Sequence, residues 1–304
     1  MKKVKVFYNK KSGNNDQEKV LQTIKDFFER DDNKEFELEF VNPESPKEAV
    51  ALAKKASEEE TNLVIALGGD GTINKICGGV FEGGGKSLLG IVPNGTVNNL
   101  SKSLQIPQKL EEALENLKEG EVRKIDIAKV NEDYMMSSLT LGILADIAAN
   151  VRTSEKKKFG PLAYLKDAYK VLRYNKTYHI EVTYNGKTEH LKTKLLLITM
   201  TNTIGGMQAL SPEAKVDDGL MRVYSLKEIN LLKILLHLRK LRKGQFENFT
   251  EMNHFDTAHL KMAARSQRKK DIPYSRIDGD KSDPLPLEIK VYHKALTTIT
   301  PKEV

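Results

Sequence analysis

Leu63-Val64-Ile65-Ala66-Leu67-Gly68-Gly69-Asp70-Gly71-Thr72-Ile73-Asn74 decides how the first half of the chain is read. The apolar run at its start fits a buried strand, and Ile73-Asn74-Lys75-Ile76 can open a helix. Between them lie three glycines in four positions. Glycine has no Cβ, so amides at a strand-to-helix turn stand bare. They can approach phosphate oxygens closely, and the helix N-terminus adds positive potential. Asp70 is a lone acid among these glycines, and the Thr72 hydroxyl and Asn74 amide add donors beside it. The alternative is a tight turn with a solvated Asp70; the extra donors favour a phosphate site.

Outward from this turn, strand and helix signals alternate. Val4-Lys5-Val6-Phe7-Tyr8 reads as a strand, Val20, Leu21, Ile24, Phe27 and Phe28 recur at helical spacing, and 36–41 alternates as a strand. Ser45-Pro46-Lys47-Glu48 is a capping box with proline at the first helical position, predicting a helix to about Ser57. Leu88-Leu89-Gly90-Ile91-Val92 predicts another strand, and Leu110, Ala113, Leu114 and Leu117 mark one face of a helix. Repeated β-α units imply a parallel sheet covered on both faces, a three-layer α/β domain over residues 1–124. Ligands of such sheets bind at the carboxyl ends of strands. The loops after Tyr8, Leu67 and Val92 are therefore expected to converge on one ligand.

Near Lys124 the character changes. Strand-like runs at 125–130, 134–141, 179–184, 190–201 and 287–293 predict a mostly antiparallel β half, with a hairpin turn at Tyr184-Asn185-Gly186-Lys187. Two helical stretches interrupt it, at about 162–173 and 228–243. The second joins a Leu/Ile stripe to Lys233, Arg239, Lys240, Arg242 and Lys243. Such a helix can pack on a core or lie on an anionic membrane.

The 304 residues suffice for two domains, and no apolar run approaches a membrane span. A single cysteine, Cys77, excludes an internal disulfide and a cysteine-based metal cluster and fits a reducing cytoplasm. The net charge of +7 suits an acidic partner, a nucleotide or an anionic membrane surface. Zinc-finger spacing, an RNP-like segment and a long basic arm are missing, so no nucleic-acid partner is expected. The histidines have no metal spacing, and no G-x-S-x-G elbow is present. Gly83-Gly84-Gly85-Lys86-Ser87 precedes a strand, so it is not a P-loop.

Four shorter segments carry candidate chemistry, each with an ordinary alternative. Asn9-Lys10-Lys11-Ser12-Gly13 can donate to phosphates through Asn9, Ser12 and Gly13, or be a turn and helix cap. In Asn94-Gly95-Thr96-Val97-Asn98-Asn99, Gly95, Thr96 and Asn98 can meet a nucleotide, while Asn98 and Asn99 can equally cap a helix. Asp217-Asp218-Gly219 can hold a hard cation such as Mg²⁺ or be a charged hairpin turn. Ile277-Asp278-Gly279-Asp280 is another acidic turn, where a carboxylate can accept a proton from a substrate hydroxyl.

The order of these motifs resembles the bacterial diacylglycerol kinase catalytic-domain lipid kinases over nearly the whole chain. Gly68–Thr72 matches the family's GGDGT loop, and Asn74 follows as it does there. The 9–13 segment resembles N-P-x-S-G with Lys10 for Pro, and 93–99 resembles P-x-G-T-x-N-D with Asn99 for Asp. Lys158-Phe159-Gly160-Pro161-Leu162-Ala163-Tyr164 resembles K-x-G-x-x-A-Y. Ala214 and Asp217-Asp218-Gly219-Leu220 match A-x-x-D-D-G-L, and Asn202 with Gly205-Gly206 upstream resembles the family's N-x-x-x-G-G with one residue fewer between. Asp278-Gly279-Asp280 resembles D-G-E, with Asp for the final Glu, and Lys75 stands where the family usually has Glu.

The resemblance implies an ATP-dependent lipid kinase with an α/β nucleotide domain and a β-sandwich lipid domain at 125–296. Residues 297–304 are expected to return to the first domain. Gly68, Gly69, Asp70, Gly71, Thr72, Asn74, Gly95, Thr96, Asn98, Asn9, Ser12 and Gly13 would hold ATP. Asp218, with the carbonyls of Lys215 and Leu220, would hold a structural Mg²⁺. Asp280 would be the proton acceptor, with Asp70 orienting Mg²⁺ or the γ-phosphate. The implied partners are a lipid substrate and an anionic membrane, touched peripherally at its inner face; homodimerisation is left open. Two rival readings stand beside this. NAD kinases also carry GGDGT, though they further want an N-E/D pair and a G-S-T-A-Y-like segment that this chain lacks. The Asn99 and Asp280 departures point instead to a weakly active or non-catalytic lipid- or nucleotide-binding relative.

Overall fold

The structure is a computed structural model that describes residues 1–10, 17–30, 35–142, 176–204, 207–208, 211, 213–227, 252–265 and 272–302. Its first part alternates β1 (Lys2–Phe7), α1 (Gln17–Phe28), β2 (Phe36–Val41), α2 (Pro46–Glu58), β3 (Leu63–Gly68), α3 (Asp70–Glu82) and β4 (Leu88–Pro93). Two helices, α4 (Asn99–Ser103) and α5 (Leu110–Glu119), follow. Strands come next: β5 (Glu121–Val130), β6 (Asp133–Met135), β7 (Ser138–Gly142), β8 (Tyr178–Tyr184), β9 (Lys187–Thr193) and β10 (Leu195–Thr199). They continue as β11 (Thr203–Ile204), β12 (Met207–Gln208), β13 (Met221–Leu226), β14 (Met252–Thr257), β15 (His259–Ala264), β16 (Tyr274–Ile277), β17 (Asp280–Pro284) and β18 (Leu287–Thr300). The expected helices at 162–173 and 228–243, and the 158–164 segment, lie outside the described residues.

Local signals act as the residues require. Ser45 Oγ accepts from the Glu48 amide at 3.2 Å, and Pro46 opens α2. Glu48 reaches one residue further back than a capping box asks, to the Glu44 amide at 2.7 Å. Asn185 (φ 48°) and Gly186 (φ 74°) form the two-residue hairpin between β8 and β9. Two predicted runs are broken. The 190–201 run becomes β9 and β10, because the Lys194 amide turns to Leu226 O at 2.9 Å. The 134–141 run splits into β6 and β7 at Met136 and Ser137, whose amides bond the Asp278 carboxylate.

In the first sheet the order starts β2-β1-β3-β4, all parallel. The chain winds one way from β1 to β2 and the other way from β2 through β3 to β4. The reversal puts a crevice at the carboxyl ends of β1 and β3, where ligands of doubly wound sheets bind. The pairs α2–α3 and α1–α5 pack together beside this sheet. One core, including Val4, Val6, Ile65, Ile76, Ile91 and Leu114, fills these layers.

The same sheet continues as β18-β15-β8-β9, with β5 alongside β18. A second, antiparallel sheet runs β14-β13-β10-β7-β16-β17. Side chains from both, among them Ile180, Val182, Leu260, Ile289, Leu139, Leu196 and Val223, form the second core, a β-sandwich. The fold is thus three-layer α/β followed by all-β. Strand β18 serves both cores: Leu287, Ile289 and Val291 belong to the sandwich, whereas Leu296 and Ile299 belong to the α/β core. Its register shifts between Tyr292 and Leu296, and Thr298 pairs in parallel with Leu89 of β4.

Candidate active site

A cleft of about 490 Å³ opens at the reversal point of the sheet. Phe7, Tyr8 and Asn9 line it from the end of β1, 43–46 from the end of β2, Gly69, Gly71 and Thr72 from the end of β3, and Asn94 and Gly95 from the end of β4. Asp280 enters from the second half of the chain, and Lys75 and Ile76 complete the wall from α3.

Two glycine loops make the floor. Asn94 donates its amide to Gly68 O at 2.8 Å. A Cβ on Gly95 would lie 2.5 Å from the Gly69 Cα, so the two backbones touch where a side chain has no room. Gly69 caps α3 with no side-chain hydrogen bond. The first helical bond is Ile73 N to Gly69 O at 3.0 Å, which leaves the earlier amides of the turn available to an anion. A Cβ on Gly71 would overlap the Asp280 carboxylate. Glycine at this position is what lets a residue from the distant turn of β16 and β17 stand against the loop. That turn is tight: Asp278 (φ 49°) and Gly279 (φ 90°) are its central residues, and Ile277 pairs with Asp280.

The expected nucleotide residues divide into two groups. Asn9, Gly69, Gly71, Thr72 and Gly95 line the cleft, whereas Ser12 and Gly13 lie outside the described residues. Thr96 is exposed and is not among the lining residues. Gly68 ends β3, packed against the Thr72 side chain. Asn98 staples its own loop: its Oδ1 accepts from Gly95 N, and its Nδ2 donates to Gly95 O and Gln108 Oε1, each at 3.1 Å. Asn74 also turns inward, donating Nδ2 to Tyr134 O at 2.5 Å and to Asp278 Oδ2 at 2.8 Å.

Asp278, which the sequence offers only as part of an acidic turn, is the structural anchor of the site. It is buried, and its carboxylate collects Asn74 Nδ2 (2.8 Å), Met136 N (2.8 Å), Ser137 N (2.9 Å), Ser137 Oγ (2.6 Å) and Ser138 N (2.8 Å). This single side chain ties α3, which starts in the glycine loop, to β6, β7 and the turn that presents Asp280. The only sequence signal was the Asp-Gly turn itself, which says nothing of what the aspartate faces. Lys75 is tied down as well, by Asp133 at 2.9 Å, which in turn accepts from Ser282 Oγ at 3.1 Å.

Asp70 sits behind the glycine loop, facing the amides that begin α4. Burial pushes its carboxyl from an ordinary 3.8 up to about 6, helped by Asp278 and opposed by the amides of Leu100, Asn99 and Asn98. Its Oδ1 is buried without a hydrogen-bond partner. Because the folded value is raised, this group's stabilising contribution is complete below about pH 3.8 and is lost as pH rises through about 6. At neutral pH its ionisation then costs the fold about 3 kcal/mol. Asp70→Asn, measured without nucleotide or divalent ion, should raise stability at pH 7.5 by about 1–3 kcal/mol and give no gain near pH 4. Urea midpoints at the two pH values check this, and an equal gain at both would refute it.

The turn expected to hold magnesium is arranged differently. Lys215 offers Asp218 its amide, 3.3 Å from Oδ2, and the Leu220 amide donates to Oδ1 at 3.0 Å. Arg222 Nη1 lies 2.7 Å from Asp218 Oδ2 and 3.4 Å from Leu220 O. A guanidinium therefore stands among the oxygens a metal would use, and the residues present do not fit a divalent ion there. Among the described residues no group of three or more His, Cys, Asp or Glu is placed to hold a metal.

The sequence model of the diacylglycerol kinase catalytic domain matches residues 3–130, and that of the YegS C-terminal NAD kinase beta sandwich-like domain matches 137–300. The chain is 28% identical to "Diacylglycerol kinase" of Bacillus subtilis (strain 168), over 100% of this chain and 98% of that protein. It is 31% identical to "Putative lipid kinase" of Streptococcus pneumoniae serotype 4, over the full length of both. The fold is also that of a crystal structure of a diacylglycerol kinase from Bacillus anthracis str. Sterne, with a TM-score of 0.77, 22% identity and coverage of 98% of this chain and 97% of that one. These matches define a class, kinases that act as phosphotransferases. The chain belongs to the bacterial diacylglycerol kinase-like lipid kinase family.

Proposed function

We propose that this protein transfers the γ-phosphate of ATP to a hydroxyl of diacylglycerol or a related lipid, giving phosphatidic acid or its analogue. The observation that carries this reading is the Asp280 carboxylate against Gly71, inside a cleft whose floor includes the first-turn amides of α3. In this reading residues 1–124 bind ATP, 125–296 receive the lipid, and 297–304 return to the first domain.

The lipid hydroxyl attacks the γ-phosphorus in line. A new lipid O–P bond forms, the bond to the β-phosphate oxygen breaks, and ADP leaves with that electron pair. Asp280 takes the hydroxyl proton. Transfer of this kind depends on positioning and on neutralising charge, with little covalent work left to the protein. The amides at the start of α3 hold the phosphates, with Thr72 and Asn9 beside them. The magnesium that accompanies ATP would neutralise phosphate charge, and Asp70, buried behind the loop with an unpartnered Oδ1, would orient it or the γ-phosphate.

Among the described residues no helix is long and apolar enough to cross a membrane. The net charge of +7 supports peripheral contact with an anionic lipid surface, where the substrate resides. Labelled ATP, incubated with vesicles containing diacylglycerol, other hydroxyl lipids, or NAD in a parallel arm, tests the reading. Label is expected in phosphatidic acid or an analogue. Label in NAD, or nucleotide binding with no transfer to any lipid, would overturn it.

A further inference from the structure

We infer that Arg222 is a built-in cation that takes the place of a divalent ion at the 217–219 turn, so this part of the fold does not depend on magnesium. The inference does not rest on the proposed activity and holds for any substrate.

The guanidinium gathers oxygens from both sides of the turn: Asp218 Oδ2 at 2.7 Å, Leu220 O at 3.4 Å and Glu213 O at 3.1 Å. A hard cation collects oxygens in the same way. The contact is well shielded, with the Arg222 side chain 10% exposed and that of Asp218 20%. Asp256 Oδ2 lies 3.7 Å from Nε on the outer side.

The neighbouring carboxylates are also engaged. Asp217 Oδ2 accepts from Arg123 Nη2 at 3.0 Å and Nε at 3.3 Å. Asp126 accepts from the Gly219 amide and the Lys294 amide, each at 2.6 Å, and sits 3.1 Å from His293 Nδ1. The two aspartates of the turn are thus matched one for one by Arg123 and Arg222, and little anionic field is left to attract a dication. An ion entering here would have to displace a buried guanidinium and strand it without a counter-charge. Arg222 stays charged at every pH the protein survives, and, being covalently part of β13, it cannot be diluted away.

The test is thermal melting of the full nucleotide-free chain in EDTA and in millimolar magnesium chloride. The wild-type midpoint is expected to be the same in both. Arg222→Gln should melt lower in EDTA and recover in part with magnesium, and adding Asp218→Asn should remove that recovery. A wild-type midpoint that rises with magnesium, and ceases to do so in Asp218→Asn, would overturn the inference. So would a folded Arg222→Gln protein that ignores magnesium. A wild-type rise that persists in Asp218→Asn comes from another place and agrees with Asp218 being occupied by Arg222. If Arg222→Gln does not fold, the comparison of wild type with Asp218→Asn decides alone.

Discussion

Asp280→Asn should lower kcat by about 10²–10⁴-fold, the usual contribution of a positioned proton acceptor. Stability should change by less than about 0.5 kcal/mol, because Asp280 is exposed at the rim of a turn. Asparagine keeps the shape and removes the basicity, so a loss confined to kcat, with KM for ATP unchanged, identifies a group used in the chemical step. Asp280→Glu is the informative partner. Aspartate is one methylene shorter than the glutamate of the family motif, yet its carboxylate already stands against Gly71. If reach to the substrate proton limits turnover, glutamate should raise kcat. A variant Asp280→Asn with full turnover would remove this residue from the mechanism.

Asp278→Ala should be the most destabilising single change in the site, by about 4 kcal/mol or more. Five donors converge on this buried carboxylate, three of them backbone amides that cannot turn away. An unsatisfied buried donor costs about 1–3 kcal/mol, and the losses overlap. Alanine also inherits a backbone with φ 49°, which asparagine tolerates better. Asp278→Asn should therefore cost less than alanine, since it keeps one acceptor and the turn. Both should reduce turnover, because the Asp280 turn is anchored through Asp278. Urea unfolding with a parallel kinase assay checks the pair. A midpoint for Asp278→Ala close to wild type would mean that the donors find other partners.

What could be read in the residues was mostly local. The apolar run before Gly68, the proline-led start of α2 and the Asn185-Gly186 hairpin each carry their instruction within a few positions. Backbone geometry there is set by sterics and by nearby hydrogen bonds. Asn74 and Asn98 both look like donors waiting for a nucleotide. Asn98 spends its amide locally, on Gly95 three positions back and Gln108 ten positions on. The role of Asn74 was not readable in that way, because its amide goes to partners that only the packed chain brings near. Asn74 meets Asp278 across 204 positions of sequence.

The sequence by itself determined the alternating β-α half, the β-rich half, the glycine loop and the family to which they belong. Tertiary structure decided which acid does what. It buried Asp278 under five donors, raised Asp70 by desolvation, set Asp280 against Gly71 and placed Arg222 on Asp218. The physical reason is that a strand, turn or cap is fixed by neighbours along the chain. Burial and convergence on a cleft depend on residues as far apart as Asn74 and Asp278, 204 positions, and even the Asp218–Arg222 pair, four positions apart, owes its shielding to the packed fold.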